Sequence, residues 1–139
     1  MPKGISETAF LSQVADILNL YQWRWCHIRP GWSERGYRTP IQGNDPDGFK
    51  GKGLPDIIAV RPPRLLFAEL KKETGNLEPA QEAWFEDLNE CVKQISLEPI
   101  ERKGKPIADG WAGIEHLIPS FEVYLWRPDD IEKIVEILK

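Results

Sequence analysis

The chain has 139 residues, the size of one ordinary domain around one hydrophobic core. At 41% hydrophobic, 29% charged and 10% aromatic it carries too many large apolar residues for a disordered segment, and its apolar runs are too short to span a bilayer. The net charge of −4 is unevenly spread: Gln22 to Lys72 holds 10 Lys/Arg against 5 Asp/Glu, and the other 88 residues hold 8 against 17, which predicts a basic face on an acidic body, suited to holding nucleic acid.

Met1-Pro2-Lys3-Gly4 lacks the apolar stretch of a secretory signal, so a cytoplasmic location is expected. Residues 6 to 21 predict a helix, with Phe10, Val14, Ile17, Leu18 and Tyr21 on one face and Ser6 as its cap. Residues 22 to 29 are rich in strand formers and stop at Pro30. From Pro30 to about Gly53 the chain is dense in Gly, Pro, Asn and Asp, which predicts a long functional loop. Asp56 to Arg61 and Arg64 to Lys71 predict two strands joined through Pro62-Pro63. Being apolar on both faces, they are expected at the centre of a sheet covered on both sides. A helix is expected from Pro79 to about Gln94, its apolar face formed by Trp84, Leu88, Cys91, Val92 and Ile95. Cys26 and Cys91 show no metal-ligand spacing and are expected to be buried hydrophobes, which leaves no structural zinc site. Ser96 to Ser120 is the least patterned stretch, with Trp111 to Leu117 as a short helical piece. Phe121 to Arg127 predicts a strand and Asp129 the cap of a last helix. The expected order is α-β-β-β-α-β-α, without repeats or an interdomain linker, in a single α/β domain.

The two central strands carry the chemistry. With Pro62-Pro63 at the centre of a hairpin, opposed residues have numbers summing to 125, which sets Asp56 against Glu69 with Cα atoms about 4.5–5.5 Å apart. Facing carboxylates destabilise a sheet unless something positive lies between them. Period-two alternation places Lys71 on the same face. As a buried ion pair alone the group would gain little, because desolvation offsets the attraction. As a divalent-metal site it makes chemical sense. Glu7 stands three, seven, ten and eleven residues before Phe10, Val14, Ile17 and Leu18 and is expected on their inward face, though a helix-dipole contact at a solvated first turn would serve as well. Gln81 repeats this pattern ahead of Trp84 and Leu88, with a solvated helix end as the alternative.

Gly53-Leu54-Pro55-Asp56 followed by Glu69-Leu70-Lys71 on the next strand resembles the PD-(D/E)XK nuclease motif. Thr74-Gly75-Asn76-Leu77, Gln81 with Trp84, and Val123-Tyr124-Leu125-Trp126-Arg127-Pro128 resemble its VRR-NUC branch, to which small phage-type nucleases belong. The resemblance covers about residues 5 to 95 and 121 to 139, and the chain departs from the branch at an insertion of about 96 to 120.

The resemblance implies a restriction-endonuclease-like core, a central mixed sheet flanked by helices, that binds Mg²⁺ or Mn²⁺ and cuts DNA. It implies Asp56, Glu69 and the Leu70 carbonyl as metal ligands, with Lys71 orienting the attacking water. Glu7 would act through a water or a second ion, and Gln81 would position the water or Lys71. His27, which shares a strand face with Trp23, Trp25 and Arg29, would reach the phosphate or sit as a core histidine in an aromatic cluster. Arg29, Arg35, Arg38, Lys50 and Lys52 are candidate phosphate contacts or ordinary solvated charge. Cleavage of branched or flapped DNA would call for a homodimer making two matched cuts. The competing expectations are a non-catalytic nucleic-acid-binding module and an assembly module on the same fold.

Overall fold

In the computed structural model, residues 4–28, 31–33, 36–38, 43–97 and 120–139 are described. The expected helices and strands form near the expected bounds, and two short strands, β2 and β3, join them: α1 (Glu7–Leu20), β1 (Arg24–His27), β2 (Gly31–Ser33), β3 (Gly36–Arg38), β4 (Ile57–Arg61), β5 (Arg64–Leu70), α2 (Pro79–Leu97), β6 (Ser120–Trp126) and α3 (Ile131–Leu138). The order thus differs from α-β-β-β-α-β-α. The stretch read as a loop contains the antiparallel pair β2–β3, with Trp32 opposite Tyr37. Strands of three residues are too short for alternation to register in the sequence. Arg29, Arg35 and Trp111–Leu117 lie outside the described residues, as does most of the 96–120 segment. Its first residues continue α2 and its last opens β6.

Four strands form an open mixed sheet in the order β1-β4-β5-β6, so β4 and β5 are the inner strands as expected. The hairpin register sums to 125 throughout, from Arg61 opposite Arg64 to Ile57 opposite Ala68. β6 runs parallel to β5, with Leu66 beside Glu122 and Leu70 beside Trp126. A parallel neighbour needs a crossover, and α2 lies within it.

Alternation divides the sheet into two faces. Ile57, Ala59, Leu66, Ala68, Leu70 and Trp126 are buried on the face packed by Phe10, Val14 and Leu18 of α1 and by Ile134 and Leu138 of α3. Each large apolar side chain there contributes about 1.5–3 kcal/mol. The opposite face is less covered than expected: Ile58, Val60, Leu65 and Phe67 are half-buried. Cys26 and Cys91 are exposed, not buried. Cys26 alternates out from the half-buried Trp25 and His27 on an edge strand, and Cys91 falls off the Trp84–Leu88–Val92 stripe of α2.

Ser6 caps α1 as expected, its Oγ accepting the Ala9 N–H at 3.1 Å. Asp129 does not cap α3. A 3-10 turn over Pro128–Asp130 intervenes, and Asp130 accepts the Arg127 N–H at 2.9 Å. At the start of β5, the Arg61 and Arg64 guanidinium groups lie 4.7 and 4.9 Å from the Trp23 ring centroid. Arg61 also donates to the Leu138 and Lys139 carbonyls. Arg64 makes a bidentate pair with Glu122 at 2.8 and 2.6 Å. Two of the ten cations in the basic block are therefore committed to the fold. Among the described residues no helix is long and apolar enough to cross a membrane.

Candidate metal centre

The centre sits where β4 begins and β5 ends. A carboxylate-bound loop, a close glycine approach and a tryptophan hydrogen bond bring the chain to it. The Asp45 carboxylate accepts the N–H groups of Asp47, Phe49 and Gly51, which curls residues 45–51 into a fixed loop. The Gly51 and Phe49 amides hold its pKa below the ordinary carboxylate value. Gly53 then passes against the first turn of α2 at φ +95°. A Cβ there would stand 2.7 Å from the Gln81 nitrogen and nearer still to the Ala80 carbonyl, so only glycine fits. Trp84 fastens the same contact, its Nε1 donating to the Lys52 carbonyl at 2.9 Å. The approach that sets Pro55 and Asp56 at the head of β4 thus also sets Gln81 beside them.

Asp56 extends the hairpin register by one step and stands against Glu69. Its carbonyl accepts the Ile28 N–H at 3.0 Å, which ties it to β1 as well. The two acids are cross-linked through backbone: the Asp56 N–H donates to Glu69 Oε2 at 3.2 Å, and the Leu70 N–H donates to Asp56 Oδ2 at 3.0 Å. Gln81 Nε2 donates to Glu69 Oε1 at 2.8 Å, and Lys71 Nζ stands 3.7 Å from the same oxygen. Glu69 is only 2% exposed, the one charged residue among the buried ones described. Burial first, and the facing Asp56 carboxylate second, push its pKa up to about 8 against the pull of Lys71.

No protein-family model, curated protein or solved structure matches this chain.

The sequence-predicted residues therefore divide. Asp56, Glu69, Lys71 and Gln81 converge, and the Leu70 carbonyl belongs to the residue whose N–H already binds Asp56. Gln81 reaches Glu69 itself, where Lys71 or a water was expected. Glu7 is exposed in the first turn of α1 and has no hydrogen bond or ion pair among the described residues, contrary to an inward face. The buried stripe of α1 begins at Phe10, and one turn earlier the helix has already passed the edge of the core. His27 stands opposite Ile57, on the face covered by α1 and α3, whereas alternation puts Glu69 on the other face. Lys50 and Lys52 are exposed on the loop that leads to Gly53, and Arg38 is the last residue of β3. Arg127 is a further residue near the centre that periodicity and spacing do not single out. It reaches the turn after Lys71, and its only sequence sign is an arginine between a strand end and Pro-Asp.

The donor set suits a hard cation. Asp56 and Glu69 offer carboxylate oxygens, and Asp56 Oδ1 accepts no hydrogen bond among the described residues. Among the described residues no group of three or more His, Cys, Asp or Glu side chains gathers there. Such a set cannot supply the four nitrogen or sulfur ligands of structural zinc. It matches Mg²⁺, which keeps several waters and is commonly held by one or two carboxylates together with substrate phosphate.

Proposed function

We propose that this chain is a Mg²⁺- or Mn²⁺-dependent nuclease that hydrolyses phosphodiester bonds of DNA, built on a restriction-endonuclease-like core. The observation that carries the reading is the burial of Glu69 against a second carboxylate. The Lys71 ammonium, 3.7 Å away, is the one cation paired with it among the described residues. With both acids ionised, a sheet end arranged this way loses stability unless a cation enters, and the same oxygens would hold that cation. The PD-(D/E)XK resemblance of these residues supports the same conclusion.

Asp56, Glu69 and the Leu70 carbonyl would hold the ion, which supplies Lewis acidity toward water and the scissile phosphate. Gln81 keeps Glu69 turned toward Asp56 through its bond to Oε1. Lys71 donates to the attacking water and offsets negative charge as the phosphorus becomes five-coordinate. Lys50 and Lys52 on the neighbouring loop would hold the DNA backbone by charge without reading its sequence.

The test is a cleavage panel of linear, flapped, four-way-junction and single-stranded DNA with Mg²⁺ or Mn²⁺, run on wild type, Asp56→Asn and Lys71→Ala, with circular dichroism to follow the fold. The expected result is ion-dependent cutting that falls by about a hundredfold or more in either variant. Undiminished cutting in either variant would overturn the assignment. Salt-sensitive binding without cutting of any substrate would identify a non-catalytic DNA-binding module instead. If four-way junctions are the preferred substrate, light scattering should show a dimer.

A further inference from the structure

Lys71 is the last residue before an exposed turn, and an unrestrained lysine side chain has more rotamer freedom than almost any other. We infer that Arg127 is a positioning residue that keeps the Lys71 ammonium at Glu69, an inference that rests on the nuclease reading of the same site. The Lys71 backbone is fixed first, its N–H donating to the Trp126 carbonyl at 3.0 Å. The next residue along that strand, Arg127, sends Nη1 back to the Lys72 carbonyl at 2.5 Å and the Glu73 carbonyl at 3.4 Å. Glu73 answers from the other side, its carboxylate accepting the Asp129 N–H at 2.7 Å. The Lys72 carbonyl also accepts the Gly75 N–H at 3.2 Å, which closes the turn over residues 72–75.

That turn folds back onto Lys71. A Cβ built on Gly75 would meet Lys71 Cδ at 3.6 Å and Lys71 Cβ at 3.8 Å, so the turn brings the Gly75 backbone back beside the aliphatic stem. Lys72, Glu73 and Thr74 are exposed, so the turn adds little to the core and the core gives no reason to fasten it. Its effect falls on Lys71, the residue it follows and returns beside. A single guanidinium nitrogen, Nη1, serves both carbonyls, with the short bond to Lys72 as the main tie. The bond that caps the following 3-10 turn uses the Arg127 backbone N–H, which an alanine retains.

Arg127→Ala, Arg127→Lys and wild type separate this role from a structural one. Carbon relaxation at Lys71 Cε should show a more mobile side chain in Arg127→Ala and an intermediate one in Arg127→Lys. For cleavage, kcat should fall about tenfold in Arg127→Ala and partly recover in Arg127→Lys, with KM for DNA within about twofold of wild type. An unchanged Lys71 mobility in Arg127→Ala overturns the inference. So does a rise in KM at constant kcat, which would make Arg127 a DNA contact. If wild type cuts nothing, the nuclease reading fails by itself, and Lys71 mobility alone decides whether the clasp positions the ammonium.

Discussion

Asp56 and Glu69 are bound to each other through the backbone, and each disfavours a second negative charge beside it. The Asp56 N–H donates to Glu69 Oε2, while the Asp56 carboxylate is held one residue further on, by the Leu70 N–H. This arrangement keeps both acids in place at the end of an inner hairpin, and in the metal-free protein burial and Asp56 favour the protonated form of Glu69. Gln81 and Lys71 converge on the single oxygen Oε1 of Glu69, and no third acid relieves or adds to the charge among the described residues. The consequences differ for the metal-free protein and the ion-bound one.

In the metal-free protein, stability should fall as pH rises. Glu69 has an ordinary value of 4.5 and is pushed up to about 8 by burial and by Asp56. Below pH 4.5 both folded and unfolded chains hold this proton. Above that value the unfolded chain releases it first, so the contribution to stability declines until the folded protein also ionises near pH 8. Calorimetry in EDTA should show the wild-type midpoint dropping, relative to Glu69→Gln, between about pH 5 and about pH 8.5. Added Mg²⁺ should raise the midpoint more at the alkaline end, where the ion has no proton to displace. Parallel curves for the two proteins would contradict the position given to Glu69.

Gln81 should matter for ion affinity more than for folding. Its amide orients Glu69 at 2.8 Å and accepts the Glu78 N–H at 2.9 Å. A group that orients a metal ligand is worth about tenfold or more in affinity, so Gln81→Ala should weaken Mn²⁺ binding by about that factor in titration calorimetry. Unaltered affinity would mean that the side chain only fastens the start of α2.

Gly53 supplies the steric test of how the centre is assembled. At φ +95°, with the Ala80 carbonyl and Gln81 nitrogen where a Cβ would go, Gly53→Ala should cost about 2 kcal/mol or more and weaken Mn²⁺ binding as well. Gly48 is the control. It too has positive φ, at +81°, but a Cβ there meets nothing within 4 Å. Gly48→Ala should therefore cost about 1 kcal/mol in urea unfolding and leave ion affinity intact.

These predictions rest on residues that were unequally legible in the sequence. The Asp56–Glu69 pairing was readable because a two-residue turn at Pro62-Pro63 fixes the register by arithmetic, and the observed pairing of Ile57 with Ala68 continues it. Gln81 was readable as a polar residue ahead of an apolar stripe, but its partner was not, since that depends on how closely Gly53 lets α2 approach. Glu7 shows the limit of helical periodicity, which gives direction around a helix and not how far along it the core extends. His27 lies on the core face, in keeping with the core-histidine alternative, because Asp56 and Glu69 take the sheet face opposite Ile57 and Ala68. Arg127 acts through backbone carbonyls of residues more than fifty positions away, a contact with no residue-type signature at either end.

A last prediction concerns the other end of β5, where the same strand carries an ion pair of a different kind. Arg64 and Glu122 are 23% and 16% exposed in their side chains, bidentate, and joined by Ser120 at 3.1 Å and Tyr124 at 2.5 Å. Burial pushes the Glu122 carboxyl up, but Arg64 and Tyr124 outweigh it and hold the pKa below the ordinary value. Burial, and then the bond to Glu122, push the Tyr124 hydroxyl up to about 12. Both Glu122 oxygens here have donors, in contrast to Asp56 Oδ1 among the described residues. Glu122→Ala should cost about 2–3 kcal/mol in urea unfolding, less than for a fully buried pair because water reaches both groups. Most of that loss comes from leaving the Arg64 guanidinium half-buried without its carboxylate. The double variant Arg64→Met/Glu122→Leu should therefore be less destabilised than the sum of its single variants, and in each of them Mn²⁺ affinity should stay at the wild-type value. A loss of ion affinity in Glu122→Ala would mean that the two ends of the hairpin are coupled, and that the centre depends on the whole β5–β6 pair instead of on its own end of the sheet.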